Sequence, residues 1–526
     1  MTGRYDAIVV GAGQNGLVAA AYLAKAGRKV LVLERRSVVG GTNTTVEFHP
    51  DFRVDAAFHQ QGWLDPRISA DLSVQATPEA SASVLSLTAG GAFVLPGSTA
   101  AAVEAIRRIS AADAAKWEEF CRLMHRLGGV LQYLYGLTPP RLTSTRPTDL
   151  LALLGLGLKV RGLGKRDMIE FLRILPMSAA ELLDDWFESD VLKGTLGAAA
   201  ITGICQGPRS AGTAFVMLHH LVGSPAGLLR GGGLTAGMAG RMSQRLAEAA
   251  KKTGVETRTG AEVVRIVTKD GRAIGVALAS GEEFSAAQVV STVDPSRTML
   301  GLVKPTELEP EYARAVQNIR YRGVQAKVNL ALAEAPRFNL GGGGSEVLRG
   351  LISISPSLDY LERAYDDVKH GGVSKAPVLE AFIPTMSDPS LAPAGKHVMS
   401  IWMQYAPYRP KAGEWDAAGR EALGDRVVDT LAAHAPNLRA AIVHRQVLTP
   451  RDLGDEYGAT EGNLYHGEMG LDQILFMRPV PGWGHHGTPI PGLFLGGSGT
   501  HPGGGIVGGA GRLAAREMLK AKGARS

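Results

Sequence analysis

The segment Asp6-Ala7-Ile8-Val9-Val10-Gly11-Ala12-Gly13-Gln14-Asn15-Gly16 constrains the fold of this chain more than any other stretch. Its apolar start reads as a short buried strand, and Leu17 to Ala26, after the glycines, reads as a helix. The three glycines have separate roles. Gly11 permits the tight turn, Gly13 lets backbone approach a pyrophosphate, and Gly16 lets the helix pack close on the strand. Free N–H groups and the positive end of the helix dipole then face the phosphates. A second strand, Lys29 to Leu33, ends on Glu34, eighteen residues beyond Gly16, where a carboxylate can accept from a ribose 2′-hydroxyl. The turn predicts a site for the ADP part of a dinucleotide.

Arg35-Arg36-Ser37-Val38-Val39-Gly40-Gly41-Thr42 follows, and its glycine doublet lets backbone pass close to a bound cofactor and offers N–H donors. Gly11 to Gly16, Glu34 and Gly40-Gly41 together resemble the start of the FAD-dependent amine oxidase and phytoene desaturase superfamily. The resemblance implies FAD rather than NAD, with Arg35, Gly40, Gly41 and Thr42 beside it.

Further segments extend this pattern. Leu229 to Leu234 carries a third glycine cluster and leads into a helix-period stretch, Gly237 to Lys252. Gly254–Arg258, Ala261–Val267, Gly271–Leu278 and Gln288–Val293 then read as strands, with a hairpin turn at Lys269-Asp270-Gly271. The expected fold class is α/β: a Rossmann-like (GR2-type) FAD-binding domain, discontinuous in sequence, with an inserted mixed α+β substrate domain. The FAD-binding domain takes residues 1–75, 220–297 and 470–526, and the substrate-binding domain 76–219 and 298–469. Val263 is expected beside the adenine, and Gly341 to Gly344 as a mobile loop.

The closing segment answers the first turn. Leu493-Phe494-Leu495 reads as a strand, after which Gly497 and Ser498 would face the pyrophosphate and ribityl chain. Gly503-Gly504-Gly505-Ile506-Val507-Gly508-Gly509 precedes a helix, Gly511 to Leu519. Gly505 gives backbone room under a flat ring, and the N–H groups of Ile506 and Val507, placed at the helix start, would stabilise negative charge on reduced flavin. His501, in this turn, is the first candidate for proton transfer, with a structural role that ties its ring to backbone as the alternative; His466 is the second candidate and His59, near Phe58 and Trp63, the third. His485-His486 lacks a third ligand, so no metal site is expected.

Gly462-Asn463-Leu464-Tyr465-His466-Gly467, Leu471 to Pro479 and Gly497 to Gly505 sharpen the resemblance. The chain resembles the phytoene desaturase-like FAD-dependent oxidoreductases, in the branch named for a pyridine nucleotide-disulfide oxidoreductase domain. That implies non-covalent FAD, oxidation or rearrangement of a hydrophobic molecule, and membrane contact.

Composition bounds the partners. The formal charge of +6 over 526 residues is spread along the chain with no polybasic block, so no nucleic-acid partner is expected. Cys121 and Cys205, with no C-x-x-C, encode neither a vicinal redox disulfide nor a metal cluster, and fit a reducing, cytoplasmic compartment. No signal peptide is read ahead of the first strand. Leu150 to Leu158 is too short to span a bilayer and reads as a core helix with a solvated end. With Lys159, Arg161, Lys165 and Arg166 behind it, the alternative is a segment lying on a membrane surface. Oligomeric state is not encoded in any feature of the sequence.

Three functions stay open. One is a desaturase or dehydrogenase that moves hydride from a hydrophobic, polyene or isoprenoid substrate to flavin N5, with oxygen or a quinone taking the electrons. A single dinucleotide turn argues against a resident NAD(P)H site. The second is an amine oxidase, which wants an aromatic pair at the flavin, with Tyr465 or Trp483 available. The third is a non-catalytic FAD-binding interaction protein.

Overall fold

The apolar N-terminal run forms the strand Arg4–Val10, and the glycines turn it into the helix Gln14–Lys25. A computed structural model describes residues 3–58, 62–75, 83–141, 145–224, 238–340 and 344–521. Arg4–Val10 is central in its sheet: Val30–Leu33 pairs with it in parallel on one side and Glu283–Ser291 on the other. Glu256–Arg258 extends the parallel run beyond Val30–Leu33, and Leu493–Leu495 extends it beyond the second half of Glu283–Ser291. The hairpin Val263–Lys269 and Arg272–Leu278 adds antiparallel strands at the first half of Glu283–Ser291. Val30–Leu33 is buried at every position, as strands covered on both faces are.

Helices Gln14–Lys25, Met238–Lys252 and Gly509–Lys520 cover one face of this sheet with a core that includes Val9, Leu17, Leu246 and Val290. Close contact between the first and last helices explains Gly511: a Cβ there would meet the carbonyl oxygen of Asn15 at 1.9 Å. Parallel strands alternating with covering helices make this a Rossmann-like, doubly wound α/β unit.

A second seven-stranded sheet runs in the order Ile442–Leu448, Gln325–Leu332, His397–Gln404, Val378–Phe382, Leu351–Ile354, Val84–Thr88, Gly91–Leu95. It is antiparallel except where Leu351–Ile354 meets Val84–Thr88. One face packs on helix Ala417–Ala432 and the other on a helical layer containing Ala111–Tyr135, Asp190–Gly197 and Thr213–His220.

One expectation is corrected. The helix Pro147–Arg161 is not a core helix, because Leu150, Leu151, Leu154 and Leu158 are all exposed. Its opposite side, Leu156 and Val160, packs inward, so a segment apolar all round is covered on one side only. The glycine cluster at Leu229 to Leu234 and residues 341 to 343 lie outside the described residues. No helix among the described residues is long and apolar enough to cross a membrane.

Candidate active site: a cavity between two glycine turns

A cavity of about 800 Å³ runs between the first turn and the last, at the carboxyl ends of Arg4–Val10 and Val30–Leu33. That is where ligands bind in open α/β sheets, and the volume is in the upper range for small-molecule sites. Gly11, Gly13, Glu34, Arg35, Gly40, Gly41, Thr42 and Val263 line it from the sheet end, and Ser498, Gly505, Ile506 and Val507 from the closing turn.

At the sheet end the glycines differ in what they permit. A Cβ on Gly16 would sit 2.0 Å from the Gly11 carbonyl oxygen, so Gly16 serves helix–strand packing and stays out of the cavity wall. A Cβ on Gly13 would meet nothing within 4 Å, so the space beside Gly13 is the cavity itself. No side chain caps the helix that begins there, which leaves its first N–H groups directed at that space. Gly40 is held against the turn by its N–H, which donates to the Ala12 carbonyl at 2.8 Å. Glu34 is buried; one carboxylate oxygen accepts from the Ala12 N–H at 2.8 Å and the other from the Arg36 N–H at 2.9 Å. An ionised carboxylate has about four lone-pair sites, so two acceptor positions are left for ribose hydroxyls. Arg35 donates to the Glu456 carbonyl at 2.6 Å, and Arg36 lies over the Tyr457 ring at 4.7 Å. This donor and acceptor set, with the room beside Gly13, fits an ADP moiety.

The other end is aromatic. The rings of Phe58 and Tyr465 meet edge to face at 5.5 Å, Tyr465 meets His220 at 5.9 Å, and Trp63 pairs with Ile506 across a short parallel ladder. Gly504, Gly505 and Ile506 carry bare backbone past these rings. A Cβ on Gly504 would overlap the Tyr465 ring at 2.2 Å, so only glycine allows this approach. Main chain and aromatic side chains together line this end, which fits a flat ring system.

Several sequence expectations are corrected here. His501 does not line the cavity. Its buried ring points to the end of helix Ala111–Tyr135, with Nε2 3.1 Å from the Leu134 carbonyl, and burial lowers its pKa to about 3. Gly497 does not reach the cavity either, because it packs on Thr292, whose carbonyl oxygen would lie 2.3 Å from a Cβ. Ile506 and Val507 belong to a strand, not a helix start; the helix begins at Gly509 after Gly508. Trp483 packs on Tyr312 at 5.1 Å, away from Tyr465. His59 lies outside the described residues. His466 does line the cavity, half-buried in a left-handed conformation (φ 57°), with its Nδ1 enclosed and without a hydrogen-bond partner among the described residues. Burial lowers its pKa.

Three residues not singled out from the sequence shape the site. His219 is fully enclosed beneath the closing turn. Its Nε2 lies 2.9 Å from the Gly504 carbonyl and its Nδ1 2.7 Å from the Tyr135 hydroxyl. A carbonyl only accepts, so Nε2 carries the hydrogen and Nδ1 accepts from Tyr135. Arg478 is buried with no carboxylate partner among the described residues and donates only to backbone carbonyls, including Tyr465 at 2.6 Å and Ser498 at 2.7 Å. It ties the loop bearing Tyr465 and His466 to the closing turn, and burial lowers its pKa to about 10. Lys327, equally buried, donates to the carbonyls of Asp55 at 2.9 Å and Ala57 at 2.6 Å, beneath Phe58. Burial lowers its pKa to about 7 and raises that of Asp55, whose carboxylate accepts from the Ala239 and Gly240 N–H groups. Buried histidines and cations scattered through the chain carry no local pattern, so only the folded arrangement reveals these roles.

The family model described as flavin containing amine oxidoreductase matches residues 16–519. Pyridine nucleotide-disulfide oxidoreductase domain-containing protein 2 of Rattus norvegicus is 33% identical over 544 residues, covering 98% of this chain and 94% of the relative. A limonene dehydrogenase polypeptide of Castellaniella defragrans is 29% identical over 548 residues, with the same 98% and 94% covered. In fold, the chain is similar to an oxidoreductase from Methanosarcina mazei, with a TM-score of 0.60 at 17% identity and 98% and 99% of the two chains covered. With the ADP-type turn and the glycine-lined aromatic end already in place, the chain belongs to the flavin containing amine oxidoreductase family and is an FAD-dependent oxidoreductase.

Proposed function

We propose that this enzyme dehydrogenates an uncharged, hydrophobic substrate of isoprenoid or polyene type, with oxygen or a quinone as the final electron acceptor. One observation carries the reading. Among the described residues, the only carboxylates lining the cavity are Glu34 and Glu262, both at the sheet end beside Val263. The walls of the aromatic end come from Phe58, Trp63, Val222, Leu464 and Tyr465, together with the imidazoles of His219, His220 and His466. A substrate ammonium would lose its hydration there without gaining a counter-ion, whereas an apolar chain loses nothing. The relationship to the limonene dehydrogenase polypeptide supports the same substrate class.

When bound, FAD supplies the hydride acceptor. The residues of the chain do the rest. Gly504, Gly505 and Ile506 present backbone to the ring system, and Tyr465 with Phe58 excludes water from the reacting carbon. His466, which lines the cavity and whose pKa desolvation holds below the usual imidazole value, takes the proton released by the substrate.

Family membership keeps amine oxidation as the second reading, and the Phe58–Tyr465 pair is the feature that favours it. Anaerobic mixing of the flavin-loaded enzyme with cyclic terpenes, linear polyenes or alkylamines separates the two. Loss of visible flavin absorbance with a terpene or polyene is expected, and bleaching by amines alone would overturn the proposal. Reoxidation in air, compared with reoxidation by a soluble quinone, identifies the acceptor.

A further inference from the structure

Six of the eleven large apolar side chains exposed among the described residues lie on two consecutive helices, Pro147–Arg161 and Gly164–Ile174. On the first, Leu150, Leu151, Leu154 and Leu158 are between 52% and 67% exposed. At 3.6 residues per turn these four fall within one stripe about 100° wide. On the second helix, Ile169 and Leu172 are 50% and 60% exposed. Large contiguous apolar patches of this kind mark docking surfaces.

Charge selects the partner. Every exposed charged residue between positions 146 and 173 is basic: Arg146, Lys159, Arg161, Lys165, Arg166 and Arg173. The acids of the same segment are turned away or neutralised. Asp167 is buried and paired with Arg126, Glu170 with Arg173, and Asp149 is half-buried. Arg161 lies on the leucine stripe itself, three residues beyond Leu158, and neither it nor Lys159 or Lys165 forms an ion pair among the described residues. A second copy docked by the same face would set this basic rim against its own like. A lipid surface with anionic headgroups satisfies both features at once, taking leucines into the acyl boundary and cations at the phosphates.

We infer that the Pro147–Ile174 helix pair docks this protein on anionic membrane surfaces, with the Leu150–Leu158 stripe inserted at the headgroup level. The inner side of the first helix connects this surface to the interior. Ala152 and Leu156 cover a narrow apolar crevice that also touches Leu134, Leu475 and His501. Gly155 permits the close seat, since a Cβ there would approach the Tyr133 hydroxyl at 2.9 Å.

The test is flotation of the full-length, flavin-loaded protein with vesicles of phosphatidylcholine alone or mixed with phosphatidylglycerol. Two variants accompany it: Leu151→Gln/Leu154→Gln/Leu158→Gln and Lys159→Gln/Arg161→Gln/Lys165→Gln. Retained flavin absorbance and an unchanged thermal transition show that each variant folds. Binding to the anionic vesicles is expected, weakened by about tenfold or more in either variant, since each cation near such a surface contributes about 1 kcal/mol. Absence of binding to anionic vesicles, or binding unaffected by the leucine changes, would overturn the inference. So would a dimer in sedimentation that the leucine variant dissociates, which would assign the face to a second copy.

Discussion

The His219 imidazole donates from Nε2 to the carbonyl oxygen of Gly504 across 2.9 Å, joining residues 285 positions apart in sequence. Gly504 is backbone at the aromatic end of the cavity, so the bond sets the height of the closing turn against Tyr465. Replacing His219 by Ala leaves that carbonyl and the Tyr135 hydroxyl without partners, each costing about 1–3 kcal/mol. We expect FAD affinity to fall by tenfold or more in His219→Ala, with a smaller effect in Tyr135→Phe, measured by recovery of free-flavin fluorescence. Unaltered affinity in both would remove His219 from the site.

Acid sensitivity follows from the buried rings. Burial lowers the pKa of His219 and His501 to about 3 and of His486 to about 4. In the unfolded chain these rings take up protons near pH 6.5. The unfolded state therefore binds more protons below that pH, and the stability contributed by the neutral rings is full above it and declines as the pH falls. The slope is at most about 1.4 kcal/mol per pH unit for each ring. Thermal unfolding of the flavin-loaded protein is expected to shift downward by several degrees between pH 7.5 and 5.5, and an unchanged midpoint would contradict the assignment.

The two glycines of the first turn separate folding from binding. Gly16→Ala forces a Cβ against the Gly11 carbonyl, which is backbone and cannot yield, so poor expression or loss of several kcal/mol of stability is expected. Gly13→Ala meets no protein atom within 4 Å and has an ordinary φ of −68°, so the chain should fold with near wild-type stability and lose only its FAD. Apo-protein circular dichroism together with flavin content distinguishes the outcomes.

Arg478→Met removes a cation that holds only carbonyls, including those of Tyr465, Gly467 and Ser498. Stability should fall by about 3 kcal/mol or more, because several buried acceptors lose their donor together. Denaturant midpoints measure this, and a change below about 1 kcal/mol would show that the loop holds its shape by other means.

His466 and His501 are expected to exchange the ranking their sequence positions suggest. His466→Asn tolerates the left-handed backbone and should slow flavin reduction by about 10²-fold or more, the usual scale of a lost general base. His501→Ala, behind the cavity wall, should lower stability while leaving the pH dependence of reduction in place. Stopped-flow reduction across pH decides between them.

The cofactor frame was legible in the chain because its demands are local. A pyrophosphate needs bare backbone at a helix start, and Gly11, Gly13 and Gly16 announce this within six residues. Glu34 and Gly40-Gly41 stand one strand later for similar reasons, and all but Gly16, the packing glycine, line the cavity. The catalytic end was less legible. His501 stands three residues before Gly504, which lines the cavity, yet its ring turns toward the Leu134 carbonyl. His219, Arg478 and Lys327 could not be singled out, since their partners are carbonyls from distant segments. Neighbouring residues were enough to specify the α/β unit, its FAD and the glycine turns that hold it, because backbone geometry and hydrophobic period are local properties. Which histidine faces the cavity, and that the Leu150–Leu158 stripe faces outward, emerged with the folded chain. Those outcomes depend on side-chain burial against elements hundreds of residues away.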